Sequence, residues 1–284
     1  MSARPAPVES IDVGDIRITY LRDGDAVCSA TKIFPSSDEA LWQAHRQFLD
    51  DDGQLLCTLG GFLVETGDRK IVVDLGFGDR TTPFPLIDGV YRGGELLQNL
   101  ESSGVRAADV DTVLFTHMHL DHVGWTSRGG TLTFPNARYL AGDGELEFWQ
   151  GLTDADLAAL GPDPDSVQTP LKGRMEAVRD GQAVAPGVNV LASPGHTPGH
   201  CSVVVSSGSE RAIILGDVLI CPLQITQSEL GVLSDVDPVT AARTREAIAA
   251  ELAGDEQAIG ANAHFTGSVF GRVVPAEGRT WVNL

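Results

Sequence analysis

Thr112-Val113-Leu114-Phe115-Thr116-His117-Met118-His119-Leu120-Asp121-His122 is the stretch whose reading decides the fold. Its first half is a β-branched and apolar run, which favours a strand. In an extended chain, side chains at i and i+2 point to one face, so His117 and His119 leave the strand end together and can grip one metal ion. The chain then turns through Asp121-His122-Val123-Gly124, which offers a carboxylate and a third imidazole to a second ion beside the first. Imidazole and carboxylate in this mixture suit borderline divalent metals.

Three further segments have the same form. Val190-Leu-Ala-Ser-Pro-Gly-His196, Ala212-Ile-Ile-Leu-Gly-Asp217 and Ile259-Gly-Ala-Asn-Ala-His264 each end an apolar run on small residues and then present one metal-type side chain. Ligands on loops at one edge of a sheet produce this pattern. His200 follows Pro198-Gly199, which breaks any helix, and is expected behind the ligands or in packing. His45, between Trp42 and Phe48, has no partner nearby in sequence and is expected to be structural.

Working outward, short β-branched runs recur at 16–20, 62–66, 70–75, 112–116, 138–141, 188–192, 202–206 and 212–215. Helical spacing appears at 40–48, 94–102, 145–151, 171–178 and 239–252, the last opened by Asp237-Pro238 and closed near Gly254. No fixed period repeats, and the alternation argues for one layered α/β domain spanning 1–284, with 1–14 as an N-terminal extension. Residues 152–170, with Gly161, Pro162 and Pro164 among acidic side chains, are expected to be a loop, either a plain connection or a lid.

Of 284 residues, 42% are apolar, enough for a sizeable core. Twenty Lys and Arg against 39 Asp and Glu give a net charge of −19, a field that repels nucleic-acid phosphates and anionic lipid. No apolar run approaches the roughly 20 residues of a membrane-spanning helix, and the first residues lack the apolar core of a secretory signal. A cytoplasmic chain is expected. Its expected partner is a small-molecule substrate, without nucleic acid or membrane, and a homodimer is left open. Cys28, Cys57, Cys201 and Cys221 are dispersed with no Cys-x-x-Cys pair, as for buried reduced thiols.

Taken together, His117-x-His119-x-Asp121-His122, Pro-Gly-His196-Thr-Pro-Gly-His200, Gly-Asp217 and a late His264 resemble the complete ligand set of the metallo-β-lactamase superfamily of metallohydrolases. The segment Lys70-Ile-Val-Val-Asp74-Leu-Gly76 resembles that family's early strand and turn. The resemblance implies an αβ/βα four-layer sandwich with two Zn2+ per chain at one edge of the facing sheets, manganese, iron or cobalt being alternatives. His117, His119 and His196 would hold one ion and Asp121, His122 and His264 the other, with Asp217 bridging. Ions about 3.5–4 Å apart would share a hydroxide nucleophile, and Asp121 would both ligate and orient it as the catalytic carboxylate.

Within that family the resemblance disfavours several branches. Authentic β-lactamases lack a carboxylate at the position of Asp217, and the diiron oxygen reductases carry Glu where His119 stands. The glutathione-thioester hydrolases append a basic carboxy-terminal region, whereas the tail beyond His264 here is short, and the nucleases suit a charge of −19 poorly. Gly216-Asp217-Val-Leu-Ile220-Cys-Pro-Leu-Gln224 and Asp235-Val-Asp237-Pro resemble the methyl-parathion-hydrolase-like esterases. The expectation is therefore hydrolysis of an ester-like bond, a carboxylic aryl ester or a phosphotriester, in a small apolar substrate. The alternative is an acyl-homoserine lactonase, weakened by Ile220 where many lactonases carry a substrate-binding tyrosine. A metal-stabilised binding protein without turnover is the non-enzyme alternative. Phe84, Trp125, Phe148, Trp149 and Ile220 are the expected substrate contacts.

Overall fold

The computed structural model describes residues 2–153, 161–276 and 278–284. Each predicted strand is present. Ile16–Cys28 (β2) and Leu55–Thr66 (β3) form a long antiparallel pair, extended on one side by Ser10–Val13 (β1), Gly89–Arg92 (β6) and Thr81–Phe84 (β5). On the other side lie Arg69–Val73 (β4), Thr112–Phe115 (β7), Arg138–Gly142 (β10) and Met175–Val178 (β11), the four joined in parallel. Ser127–Arg128 (β8) and Thr131–Leu132 (β9) make a small separate hairpin.

A second sheet runs in the order Ala183–Ala185 (β12), Val188–Ala192 (β13), Cys201–Ser207 (β14), Glu210–Ile214 (β15), Ile259–Ala261 (β16), Phe270–Ala276 (β17) and Gly278–Asn283 (β18). β15 and β16 are parallel, and the helix Pro238–Gly254 makes the crossover that parallel neighbours require. Asp237 caps that helix, accepting from Val239 N and Thr240 N at 3.2 and 3.0 Å, as the Asp-Pro signal predicts.

Alternation along the strands builds the layers. Ile18, Tyr20, Phe62, Ile71, Val73 and Leu114 face Val190, Val203, Val205, Ile214 and Phe270 across the space between the sheets. The opposite side chains, Leu63, Val72, Val113 and Phe115, pack on Leu96, Leu100 and Trp149 of outer helices. Ile213 and Val273 likewise pack on Ile248, Ala249 and Leu252 of Pro238–Gly254. The result is the expected four-layer arrangement of helices, two sheets and helices.

Three expectations need correction. Residues 171–178 are not one helix: helical structure stops at Leu171, and Met175–Val178 pairs in parallel with β10, so sheet pairing and burial of Val178 override local spacing. Residues 2–14 do not stand off as an extension, since β1 pairs with β2, Ala6 and Val13 are buried, and Ala3 N bonds Leu49 O. Of the loop expected at 152–170, residues 154–160 lie outside the described ones, while Pro164–Gln168 forms a helical turn capped by Asp163. All four cysteines are free and buried. Among the described residues no helix is long and apolar enough to cross a membrane.

Candidate metal centre

The metal-type side chains emerge from loops at one end of the sheets. β7 ends at Phe115, so His117 and His119 leave from the turn beyond it rather than from the strand itself. They converge nonetheless, His117 Nε2 lying 2.9 Å from His119 Nδ1. His196 comes from the β13–β14 connection, with Nε2 also 2.9 Å from His119 Nδ1. Asp217 sits in a 3-10 turn after β15, and His264 follows β16. One group joins His117, His119, His196 and Asp217, and a second joins Asp121, His122 and His264, with ligand atoms of each group within 4.8 Å of one another.

Asp217 stands between the groups. Its Oδ2 lies 3.3 Å from His196 Nε2 and 3.7 Å from His117 Nε2, while Oδ1 lies 3.0 Å from His264 Nε2 and 3.2 Å from His122 Nε2. Burial opposes its charge, but the imidazoles of His264, His122 and His117 outweigh burial and hold its pKa well below the usual range.

The outward nitrogens fix the tautomers. Thr116 Oγ1 donates to Asp74 Oδ2 at 2.7 Å, so it accepts from His117 Nδ1 at 3.1 Å. His122 Nδ1 donates to Asp74 Oδ2, His196 Nδ1 to Asp235 Oδ1 and His264 Nδ1 to the Thr58 carbonyl, each at 3.0 Å. Four imidazoles therefore turn Nε2 rather than Nδ1 inward toward Asp217. His122 Nε2 and Asp217 Oδ1 are buried with no hydrogen-bond partner among the described residues. Such a convergence of lone pairs and a carboxylate calls for positive charge. His196 shows the pull, since burial alone would lower its pKa, yet Asp217 and Asp235 bring it to about 9. The donor set fits two borderline divalent cations.

Several supporting residues were not singled out from sequence. Asp74, at a left-handed φ of 61°, also accepts from Thr116 N at 2.8 Å and so ties β4 to the histidine loop. Asp235 is anchored by Arg245 Nη1 and Val232 N, both at 3.1 Å. Buried Glu145 takes Met118 N at 2.8 Å and Trp149 Nε1 at 2.6 Å on Oε1, and Thr197 Oγ1 at 2.5 Å on Oε2. It thus clamps the loops bearing His117, His119 and His196. Asn262 Nδ2 holds the carbonyls of Gly216 and Leu219, and its Oδ1 receives His264 N. A carboxylate or amide within an apolar segment was the available signal, but its partners are remote in sequence.

His200 sits behind the ligands. Its Nε2 accepts from Asp217 N at 2.9 Å, so Nδ1 carries the proton toward Ser193 Oγ at 2.9 Å, and burial lowers its pKa to about 3. Gly216 makes this contact possible: with φ of 56°, a Cβ there would meet His200 Nε2 at 2.6 Å. His45 lies outside the metal groups, stacked on Phe48 at 6.3 Å.

His119, Asp121, Asp217 and His264 form the polar floor of a pocket whose walls include Leu59, Phe84, Ile87, Leu120, Ile220 and Val232. Phe84 and Ile220 thus stand where substrate contacts were expected. The other three aromatic candidates do not line this pocket. Trp125 is buried in the outer core, its Nε1 donating to Asp23 Oδ1 at 2.7 Å. Trp149 is held by Glu145 and meets His119 edge-on at 5.4 Å, and Phe148 packs on Trp149 at 5.0 Å. Large aromatics near a ligand motif serve the core behind it as readily as the cavity before it.

Residues 61–259 match the family model described as the metallo-beta-lactamase superfamily. The chain belongs to that superfamily. A probable metallo-hydrolase of Mycobacterium bovis is 28% identical over 187 residues, covering 57% of this chain and 56% of that protein. The chain spans about half the length of the curated relatives it matches. Among solved structures, a hydrolase of the beta lactamase superfamily, AbOPH, superposes with a TM-score of 0.82 at 26% identity, covering 99% of this chain and 98% of that one. The dizinc quorum-quenching lactonase AidC, in complex with a product, superposes at 0.85 with 22% identity and 98% coverage of both chains, which shows the shared fold. The metallo-beta-lactamase fold thus carries here a His/Asp metal-binding cluster.

Proposed function

We propose that this chain hydrolyses an ester-type bond in a small, largely apolar, uncharged molecule with the help of two divalent metal ions, zinc in the first instance. The observation that carries this reading is Asp217, whose two carboxylate oxygens face two separate ligand groups at the floor of an apolar pocket. His117, His119 and His196 would hold one ion, Asp121, His122 and His264 the other, and Asp217 both. Bound there, the ions would supply Lewis-acid polarisation of the ester oxygen and acidify water at neutral pH.

The chain's own groups account for the remainder. Asp121 is the most exposed of the seven, with 13% of its side chain accessible, and opens onto the pocket. It would accept and hold a water proton while the tetrahedral centre forms and return it to the leaving alcohol. The Nδ1 hydrogen bonds of His117, His122, His196 and His264 keep their rings from rotating. Leu59, Phe84, Leu120, Ile220 and Val232 exclude water from the apolar part of the substrate. An acidic surface of net charge −19 favours neutral substrates over anions.

The test is turnover of aryl esters, alkyl esters, lactones, thioesters and phosphotriesters by the zinc-loaded protein with and without a chelator. Chelator-sensitive hydrolysis of oxygen esters is expected. A loaded protein that turns over none of them would support the binding-protein alternative.

A further inference from the structure

Ile220 lines the pocket without any hydrogen-bond donor in its side chain, leaving open which group meets the charge that develops on an ester oxygen. The same lining contains a candidate. Tyr91 of β6 pairs with Ala26 of β2 and Thr82 of β5, and Ala26 pairs in turn with Cys57 of β3. Directly opposed residues in antiparallel strands share a face. Tyr91, Ala26 and Cys57 therefore form one row, and all three line the pocket with Asp121, Asp217 and His264.

The phenol is fixed in orientation and free in bonding. Its ring is held edge-on by Phe84 at 4.8 Å and Phe77 at 5.7 Å. The chain has three tyrosines and four tryptophans. Tyr20 donates to Leu59 O, Tyr139 to Phe134 O, and Trp42, Trp125, Trp149 and Trp281 to side-chain oxygens. Tyr91 alone among these seven has no hydrogen-bond partner among the described residues. Burial, followed by the negative charge of Asp121, raises its pKa well above the ordinary tyrosine range, so the hydroxyl keeps the proton it would donate.

We infer that Tyr91 donates a hydrogen bond from its phenol to an oxygen of the bound ester, supplying from β6 the donor that position 220 lacks. This rests on the proposed ester hydrolysis and deepens it. With Tyr91 in this role, the pocket serves alkyl esters and lactones, whose poor leaving groups depend on stabilisation of the carbonyl oxygen, as well as activated aryl esters.

The test compares wild type, Tyr91→Phe, Ile220→Tyr and the double variant, all zinc-loaded, on an alkyl ester, a γ-lactone and a nitrophenyl ester. Tyr91→Phe is expected to lower kcat on the first two by about ten- to a hundred-fold with little change in KM, and less on the nitrophenyl ester. The double variant is expected to recover part of that loss, and zinc content is expected to be unchanged in all four. Calorimetric binding of hexanoate, a product-like carboxylate, to the loaded protein gives a readout separate from turnover, with binding at least about five-fold weaker expected in Tyr91→Phe. Wild-type hexanoate affinity in Tyr91→Phe, wild-type kcat on the alkyl ester, or a loss that merely tracks zinc would overturn the inference. Absence of ester turnover in the wild type with weakened hexanoate binding in Tyr91→Phe would instead count against the ester reading while leaving Tyr91 as a ligand donor.

Discussion

Asp217 presents Oδ2 to His117 and His196 and Oδ1 to His122 and His264, so its two oxygens are not equivalent to one oxygen and one amide. In Asp217→Asn the shared negative charge goes, and an N–H replaces one acceptor. That variant is expected to retain at most one zinc per chain at equimolar loading by elemental analysis, and to lose about two orders of magnitude in turnover. Two ions at the normal rate would show that Asp217 does not bridge. Asp121→Asn preserves size but cannot accept a proton. A fall in kcat of about a hundred-fold with unchanged circular dichroism is expected, and a near-normal rate with metal retained would remove Asp121 from its role. The seven ligand-type residues were legible because they follow the ends of four apolar runs. Asp74, Asp235 and Glu145 were not, since a carboxylate's role as an acceptor depends on partners 39 to 52 residues away.

At the scale of elements, the buried Glu145 side chain hydrogen-bonds the helix Asp143–Gln150 to the loops bearing His117, His119 and His196. Gly199 permits the approach, because a Cβ there would lie 1.9 Å from Glu145 N. Glu145→Ala leaves the Met118 amide, the Trp149 indole and the Thr197 hydroxyl without their acceptor. A loss of about 3 kcal/mol in denaturant unfolding and faster zinc release to a chelator are expected. Stability within about 1 kcal/mol of wild type with unchanged release would show that the clamp is dispensable. Strands such as β4, β7 and β15 could be read from β-branched runs between turn residues. The hairpins β5–β6 and β17–β18 could not, because Pro83 and Pro275 interrupt their local pattern and pairing with a neighbour decides their conformation.

Across the whole molecule, ligand-type side chains from both sheets meet at one edge: His117, His119, Asp121 and His122 follow β7 of the first, and His196, Asp217 and His264 follow strands of the second. An ion bound there would crosslink the two halves of the sandwich and stabilise the fold by mass action, since an unfolded chain cannot assemble the site. Removal of metal is expected to lower the thermal midpoint by several degrees and re-addition of zinc to restore it. An unchanged midpoint would mean that the ions do not couple the sheets. The layer order was legible as alternating strands and helices, whereas the integration of residues 2–14 was not, because that segment contributes one short strand and small buried residues such as Ala6.

The central claim, that two ions held by these seven side chains act together on an ester, is tested most directly by titrating metal-free protein with zinc and following hydrolysis of its best ester substrate at each step. The account predicts that the rate rises with loading and reaches its plateau at two zinc ions per chain. A plateau at one ion, or full activity in the metal-free protein, would contradict it.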